Sequence, residues 1–461
     1  MKHDKYLIFI FFFSFIFTKC VSDQNTVGVL LNKKGAHNGY TLFTVHQETY
    51  LINNKGEVVH QWTSKYSAGK SVYLLENGNL LRAAQIPSKG KFIMPSAGGR
   101  VELFDWDGNL IWEYNYSTPT STQHHDIYPM PNGNVLILAI TIMDKAEATQ
   151  MGRKLITPPF MQLYNEQIVE LKPKNKNEAD IVWEWNIKDH LIQDHDNTKD
   201  NYGIISENPQ RLDINYLGSS SGGANWLHIN TIQYNAEFDQ IILSSKHLSE
   251  IYIIDHSTTT AEAATSSGGT YQKGGDFLYR WGNPIAYGQG TIDDQKLFGP
   301  HYPHWIGEGL TDAGKIILFN NGTNRIPNYS EVYILSPPTS SPGEYTYIAN
   351  TAYGPVSPDY IYTSPENTDF YSAFQSSAQR LPNGNTLICE GANGRFFEID
   401  SNEHIVWEFV NPVGASEILN QGDGTQRKGN IVFRAKKYAL DYKAFRGKEL
   451  MPGSVIEKQR P

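Results

Sequence analysis

The sequence predicts an all-β protein built as a six-bladed β-propeller. Two hairpin patterns alternate along the chain and each occurs six times, a repetition typical of propeller blades. Aromatic residues make up 12% of the chain, and 39 glycines and 23 prolines supply turns. This composition favours strands over helices. A β-solenoid is the alternative architecture, but repeats of roughly 60 residues suit four-stranded blades better than single coils.

The first 20 residues predict an export signal. Lys2 and Lys5 precede an apolar stretch over residues 6–17, about the length of a signal-peptide core and too short to span a membrane. The stretch leads to Cys20, which predicts lipidation there and an exported protein, either periplasmic or anchored to a membrane as a lipoprotein; an ordinary cleaved signal is the alternative. Only Cys389 then remains, so no intramolecular disulfide is expected. The predicted organisation is a signal over residues 1–20, a short linker over 21–37, a six-bladed propeller over 38–445 and a tail over 446–461.

The first repeated pattern is an aromatic hairpin that in several copies ends in Trp-Glu. The clear copies, in chain order, are "TYLINNKGEVVHQW" at 49–62, "RVELFDWDGNLIWEY" at 100–114, "DIVWEWNI" at 180–187 and "RFFEIDSNEHIVWEF" at 395–409. The looser copies are "EIYIIDH" followed by "FLYRWGNP", and "EVYILSPP" followed by "YTYIANT". We interpret each copy as the outer pair of strands in a blade.

The second pattern is a pair of apolar strands joined by a tight turn. An Asn-Gly turn supplies the positive φ angles that a short hairpin needs. Clear copies lie at 72–84, 126–140 and 378–391, and less regular ones at 229–245, 305–322 and 428–440. The first aromatic hairpin has no preceding partner and the last strand pattern has no following one. We therefore expect residues 430–437 to pair in the same sheet as 49–62, closing the ring and leaving no exposed sheet edge.

Histidines mark the start of several predicted inner strands. The first strand of each blade lies nearest the propeller axis, so residues at its start converge on one channel mouth. His125 lies eight residues before the hairpin glycine Gly133, and His228 opens the corresponding strand of the next blade. His301 and His304 do so one blade later, and in the last blade Ser376 and Ser377 take that place. We therefore predict a polar site at the axis.

Further polar residues accompany these histidines. Asp126 is expected either to orient His125 by accepting its second ring N–H or to cap the turn. The additional candidates for substrate binding are His124, His304, Lys246 and Arg395.

Several other kinds of site are disfavoured. The net charge of −9, from 39 Lys and Arg against 48 Asp and Glu, argues against a nucleic-acid partner. No histidine–carboxylate cluster has the spacing of a zinc site, so we predict no metal. The glycine-rich stretches "SSSGGANW" and "SSGGTYQKGG" lack the strand, Lys and Ser/Thr of a phosphate loop.

The order of these motifs resembles the bacterial arylsulfotransferase family over about residues 38–412. The resemblance rests on "NGYTLF", "TYLINNKGEVVHQW", "VYLLENGNLLR", "HHDIYPMPNGNVL", "NWLHIN", "SEIYIIDHSTTTAEA", "LFNNG" and "AQRLPNGNTLICEGANGRFFEID". It implies a six-bladed propeller, in agreement with the repeats. It also implies transfer of a sulfuryl group from an aryl sulfate to a phenol, independent of the nucleotide donor PAPS, through a sulfated histidine.

The resemblance assigns residues by motif. His228 in "NWLHIN" and His301 in "FGPHYPHW" match channel histidines, and Arg325 after "NNG" matches the family arginine, which would neutralise the sulfuryl oxygens. The Gln and Asp that flank the second histidine in the family are replaced by Pro300 and Tyr302. Residues 371–399, where a late-blade nucleophilic histidine would fall, contain no histidine. Either His125 or His228 then serves as the nucleophile, or the protein has lost the activity.

The sequence thus predicts a sulfotransferase with small phenolic and aryl-sulfate substrates. A neutral imidazole is a competent nucleophile toward sulfur, and cationic donors suit the charged oxygens of the transferring group. No cofactor is expected, and contact with a membrane is expected only through a lipid at Cys20. The alternative is a non-catalytic propeller that binds an anionic aromatic or glycan ligand at the same mouth.

Overall fold

Six antiparallel sheets arranged as blades form a ring. The computed structural model describes residues 25–459 except 91, 93, 95–97, 155–161 and 426–427. In blades 2 to 6 the first strand in the chain is innermost, and the following three strands run outward. Blade 1 comprises, from the inside outward, Lys436–Ala439, Gly39–Val45, Glu48–Ile52 and Val58–Thr63. Blade 2 comprises Ala68–Leu74, Leu80–Gln85, Gly99–Phe104 and Leu110–Asn115. Blade 3 comprises Ser121–Pro129, Val135–Asp144, Gln162–Pro173 and Ala179–Asn186.

The second half of the ring has the same plan. Blade 4 comprises Ile229–Asn235, Gln240–Ser245, Glu250–Asp255 and Tyr279–Trp281. Blade 5 comprises His301–Trp305, Ile316–Asn320, Glu331–Leu335 and Tyr360–Tyr362. Blade 6 comprises Ser377–Arg380, Thr386–Glu390, Arg395–Ile399, Ile405–Val410 and, as a fifth strand, Gly28–Asn32. The predicted all-β six-bladed propeller is therefore confirmed.

The remaining elements are short and connect the blades. Two small sheets pair Leu191–Ile192 with Leu212–Asp213 and Thr339–Ser341 with Glu344–Tyr345. The α-helices are Lys145–Gln150 and Thr260–Ala263. The 3₁₀ helices are Ile187–His190, Ile205–Glu207, Pro284–Tyr287, Ile292–Asp294, Asn367–Asp369 and Lys443–Phe445. No helix among the described residues is long and apolar enough to cross a membrane.

The C-terminal segment closes the ring as predicted, but its strand begins at Lys436, six residues after the start of the expected range 430–437. Lys436–Ala439 pairs antiparallel with Gly39–Leu42 in the sheet that also contains residues 48–52 and 58–63. Lys437 then ties blade 1 to blade 6, because its backbone N–H donates to the Gln379 side chain at 2.9 Å. Its buried ammonium also lies 2.8 Å from Glu398 of blade 6.

The ends of the chain are more ordered than the predicted organisation implies. Residues 28–32, within the expected linker, form the fifth strand of blade 6. In the expected tail, Gly453 donates to the carbonyl of Val58 at 2.9 Å, so this segment lies against blade 1. Cys20 and the predicted signal lie outside the described residues.

Apolar clusters and indole hydrogen bonds join neighbouring blades. Each of the six blade interfaces is filled by a cluster of buried apolar residues. The tryptophan of an outer strand donates its indole N–H to a carbonyl of the next blade, from Trp62 to Asp105, from Trp112 to Glu178, from Trp281 to Pro355 and from Trp407 to Asn54. A buried indole needs such a partner. The repeated tryptophan is therefore a device for joining blades.

One predicted outer strand is wrong. The pattern assigned "YTYIANT" at 345–351 to blade 5, but the strand that pairs with Glu331–Leu335 is Tyr360–Tyr362. The turn at 341–343 instead folds residues 339–345 into a local hairpin. Tyr362 takes the outer position because its ring packs on Phe370 and Phe397 at the interface with blade 6.

Candidate active site at the channel mouth

The inner strands enclose a cavity of about 500 Å³ at one mouth of the channel, which we call the histidine cavity. It is bordered by residues of blades 1 to 4, of the inner strand of blade 5, and of the segments before and after blade 6. The polar and charged residues among them are Thr44, His46, Ser67, Lys70, Gln85, His125, His228, Lys246, His301 and Gln375. The apolar residues include Val45, Phe374, Ile431 and Phe433. The cavity therefore offers both cationic groups and apolar surface for an aromatic ring.

The backbone is strained where it presents these side chains. Lys70, His125, His228 and Gln375 have φ angles of 109°, 46°, 51° and 61°, a region that residues with a Cβ rarely adopt. At Lys70 and His125 the inner strand also shifts register against its neighbour. Such bulges turn a side chain away from the sheet, and strain of this kind concentrates at functional sites.

His125 is oriented by a buried histidine and a buried carboxylate. Its Nδ1 lies 2.7 Å from Nδ1 of His124, and Nε2 of His124 lies 3.0 Å from a carboxylate oxygen of Glu166. The two atoms are not aligned as a hydrogen bond, but the negative charge of the carboxylate favours the proton of His124 on Nε2, and on this assignment Nδ1 of His124 accepts from His125. His125 then carries its proton on Nδ1. Its Nε2 lone pair has no partner among the described residues and faces the cavity.

The other two histidines have different hydrogen-bonding states. Asn225 donates its amide to Nδ1 of His228 at 3.0 Å, which leaves His228 with an Nε2–H donor. Nδ1 of His301 donates to the Asn321 side chain at 2.7 Å, and its Nε2 accepts from the backbone N–H of Gln375 at 3.2 Å. His125 is therefore the one of these three histidines whose ring offers a free lone pair.

Burial and neighbouring cations keep these imidazoles neutral. Burial, followed by neighbouring groups that include His228 and Lys70, lowers the pKa of His125 well below 6.5. Burial and then His247 and Lys246 do the same for the pKa of His228. Burial, with Lys246 as the next lowering cause, brings the pKa of His301 to about 3. All three are neutral at pH 7, the state required for a nucleophile or a hydrogen-bond donor that does not repel cations.

Two lysines make the cavity receptive to anions. None of the described residues bordering the cavity is acidic. Nζ of Lys70 donates to the Gln375 side chain at 3.1 Å when that amide is turned to satisfy both its partners, whereas Nζ of Lys246 has no hydrogen bond or ion pair to a described residue. Burial lowers the pKa of both lysines. Among the described residues, no group of three or more metal-ligating side chains converges.

Several predicted site residues lie elsewhere. Arg325, expected at the mouth with the histidines, is outside the cavity: its guanidinium pairs with Glu331 at 2.7 Å and lies over the Tyr329 ring. Arg395 is likewise outside, because it pairs with Glu390 and Glu408 between strands of blade 6.

Three further predicted positions also differ from expectation. His304 follows His301 on one strand, and the length of the strand carries it to the opposite mouth. His124 is wholly buried behind His125. Asp126 neither orients His125 nor caps the turn, because it pairs with Arg434 at 2.9 Å.

Other residues of the site escaped the sequence analysis. Lys70 lies eight residues before the hairpin glycine Gly78, the same offset that identified His125, so the repeat could have revealed it. Gln375 precedes the repeat copy at 378–391, and Phe433 lies in the less regular copy at 428–440, where the pattern does not distinguish it from the other apolar residues. Glu166 lies on the third strand of blade 3, and only the folded sheet brings it to His124.

Comparisons with known proteins agree with the motif order. The chain is 26% identical over 392 residues to arylsulfate sulfotransferase AssT of Escherichia coli O6:H1 (strain CFT073), covering 79% of this chain and 61% of that protein. It is also 26% identical over 182 residues to AssT of Lelliottia amnigena, covering 38% and 29%. The chain thus spans less than two thirds of the length of either relative.

Solved structures overlap only weakly. A protein of unknown function from Bacteroides caccae has a TM-score of 0.44 at 11% identity, covering 87% of this chain and 98% of that chain. The Myceliophteria thermophila Cps50 (Swd1) β-propeller domain has 0.36 at 10%, covering 85% and 87%. These overlaps bear on neither fold nor function, and the six-bladed ring rests on the strand pairing described above.

The family model provides the most extensive match. The model of the arylsulfotransferase (ASST) family matches residues 24–435. This range includes the six blades apart from the closing strand, together with the histidine cavity. The chain belongs to the arylsulfotransferase family.

Proposed function

We propose that the protein transfers a sulfuryl group from an aryl sulfate to a phenol, independently of PAPS, through a sulfated His125. The observation that carries this proposal is the free Nε2 lone pair of His125 in a cavity with unpaired cationic and N–H donors. Phe374 and Phe433 supply apolar walls for the aryl ring. Family membership supports the reaction class.

In the first half-reaction, Nε2 of His125 attacks sulfur and the bond from sulfur to the aryl oxygen breaks. The departing phenolate takes a proton from Lys246, whose lowered pKa makes it a better acid than a solvated lysine. The Nε2–H of His228 and the ammonium of Lys70 bind sulfuryl oxygens. As positive charge develops on His125, its Nδ1 proton passes to His124, whose other nitrogen faces Glu166.

The second half-reaction reverses these transfers. The phenolic acceptor loses its proton to the neutral Lys246, and its oxygen attacks sulfur. The bond from Nε2 of His125 to sulfur breaks, and the proton on His124 returns to Nδ1 of His125. Donor and acceptor use the same cavity in turn, so the kinetics are ping-pong.

The test is capture of the intermediate. Wild-type protein mixed with 4-nitrophenyl sulfate without an acceptor should release 4-nitrophenol in a burst and gain one sulfuryl group on the peptide that contains His125. His125→Ala should lose both the burst and the label. His404→Ala, at a side chain that is 75% exposed in an outer turn, should keep both.

Two results would contradict the proposal. A label on another histidine would displace His125 as the nucleophile. Absence of any transfer or label with a range of aryl sulfates would favour the alternative, a non-catalytic propeller that binds an anionic aromatic or glycan ligand.

A further inference from the structure

A second cavity lies at the opposite mouth of the channel. It has a volume of about 220 Å³, and we call it the tyrosine cavity. It is bordered by Tyr128, Gln233, Tyr234, Tyr302, His304, Trp305, Ile306, Gly307, Leu310, Gln379, Arg380 and Lys436. These residues come from the far ends of the inner strands and from the segment that follows the inner strand of blade 5.

A polar layer across the channel separates the two cavities. Arg434 pairs with Asp126 at 2.9 Å and donates to the hydroxyl of Tyr73 at 2.8 Å. Its guanidinium also lies 3.7 Å from the centre of the Tyr302 ring. All of these side chains are buried. A ligand in the tyrosine cavity would therefore not reach His125, and the sulfuryl transfer proposed above does not use this space.

The tyrosine cavity contains donors that have no partner. Nζ of Lys436 makes no hydrogen bond or ion pair with a described residue, although Lys436 lies beside the rings of Tyr73 and Tyr438. The hydroxyls of Tyr128 and Tyr302 likewise have no partner among the described residues. Burial, and then the charge of Arg434, lower the pKa of Lys436 to about 8, so the ammonium still predominates at pH 7.

The remaining groups define the shape and charge of a ligand. Arg380 is already held by Asp312 and Thr386, both at 2.7 Å, which leaves Lys436 as the cation available to a ligand. None of the described residues bordering the cavity is acidic. The rings of Tyr128, Tyr234, Tyr302 and Trp305 surround a space suited to one aromatic ring.

We propose that the tyrosine cavity is a second binding site, which takes a small monocyclic aromatic anion. The anionic group contacts the ammonium of Lys436 and the free tyrosine hydroxyls, and the ring lies among the aromatic side chains. A carboxylate and an aryl sulfate share this chemistry.

Titration calorimetry with benzoate and with phenyl sulfate tests the proposal and shows whether the cavity binds a carboxylate, an aryl sulfate or both. At least one of them should bind wild-type protein. Lys436→Met, which keeps length but removes charge, should weaken that binding by about 10-fold or more, the effect of losing a charge-assisted hydrogen bond. Lys246→Met, a matched change in the histidine cavity, should leave this binding event in place. Benzamide and cyclohexanecarboxylate, which lack the charge and the aromatic ring respectively, should each bind more weakly than benzoate.

A structural measurement makes the result independent of how well the variants fold. Crystals of wild-type protein soaked in 4-bromobenzoate should show an anomalous bromine signal in the tyrosine cavity, on the side of the ring away from Lys436. Bromine found only in the histidine cavity, or binding that Lys436→Met leaves unchanged, would overturn the proposal. So would failure of both anions to bind wild-type protein.

Discussion

At the scale of single residues, three buried imidazoles differ in the hydrogen bonds that they can still make toward the cavity, because their neighbours differ. Glu166, acting through His124, gives His125 a lone pair toward the cavity, whereas Asn225 gives His228 an N–H. His301 is occupied on both nitrogens. Roles in the proposed reaction therefore follow from hydrogen bonding to the far side of each ring, as is general for histidine.

His228 and Arg325 are expected to respond differently to substitution. His228→Ala should lower sulfuryl transfer by about 100-fold, the scale seen when one donor to a charged transition state is removed. Arg325→Ala should mainly lower stability, by about 2 kcal/mol, because it leaves the buried Glu331 without its cation. Initial rates and urea unfolding of the two variants separate these outcomes. If Arg325→Ala instead has wild-type stability but transfers the sulfuryl group about 100-fold more slowly, that arginine takes part in the reaction.

Part of this site can be predicted from the sequence, and part cannot. Repeat spacing brings His125, His228 and His301 together because the inner strands of a propeller begin at a common mouth. Repeat spacing misplaced His304, because the three residues from His301 to His304 along the strand span the distance from one cavity to the other. It also could not foresee that Arg325 turns back onto Tyr329 and Glu331, because that choice depends on partners supplied by the loop itself.

At the scale of the blades, side chains on one sheet complete the hydrogen bonds of the next. The outer-strand tryptophans do this through carbonyls, and His256 does so through carboxylates. His256 follows the third strand of blade 4 and bonds to Asp239 of the same blade at 2.6 Å and to Glu170 of blade 3 at 3.1 Å. It therefore links two blades near the ends of their strands.

The contribution of His256 to stability should disappear at alkaline pH. Burial alone would lower its pKa, but hydrogen bonds to Asp239 and Glu170 outweigh burial and raise the pKa to about 9. Because the folded pKa exceeds the unfolded value of 6.5, the stabilisation is complete below pH 6.5 and is lost as pH rises through about 9. The shift corresponds to about 3 kcal/mol. Urea unfolding of wild type and His256→Gln between pH 6 and pH 10 should show the difference shrinking; a constant difference would contradict this account.

Prediction from sequence succeeded for elements with a strong local pattern. Alternating apolar residues around Asn-Gly turns identify the inner hairpins because the turn chemistry fixes their register. The prediction failed for the outer strand of blade 5, because a strand of three residues, Tyr360–Tyr362, is too short to show a pattern. The long segment that precedes it, at 336–359, contains other aromatic residues that resemble the repeat equally well.

At the scale of the whole molecule, closure depends on contacts between blades 1 and 6. The ammonium of Lys437 and the carboxylate of Glu398 are fully buried together at 2.8 Å. Glu398 also accepts from the side chain of Asn385. These groups fix the join between the two ends of the ring, and an isolated charge left there would be costly.

Removing the cation at this join should destabilise the entire ring. Lys437→Met leaves Glu398 buried without its partner and should lower the free energy of unfolding by about 3 to 5 kcal/mol. Lys443→Met is the matched control, because Lys443 pairs with Glu76 at an exposed site in the same C-terminal region and should have little effect. Equal stability of the two variants in urea unfolding would show that closure does not depend on the buried pair.

The closing segment also affects when, during synthesis, the two cavities can form. Ile431 and Phe433 border the histidine cavity, Arg434 forms the layer between the cavities, and Lys436 reaches the tyrosine cavity. Because a ribosome makes these residues after all the outer strands, a nascent chain lacks part of the lining of both cavities until residue 436 has been added. Chains that end before this segment would lack both complete cavities, so we expect the reaction and the binding proposed above only from a chain whose ring has closed.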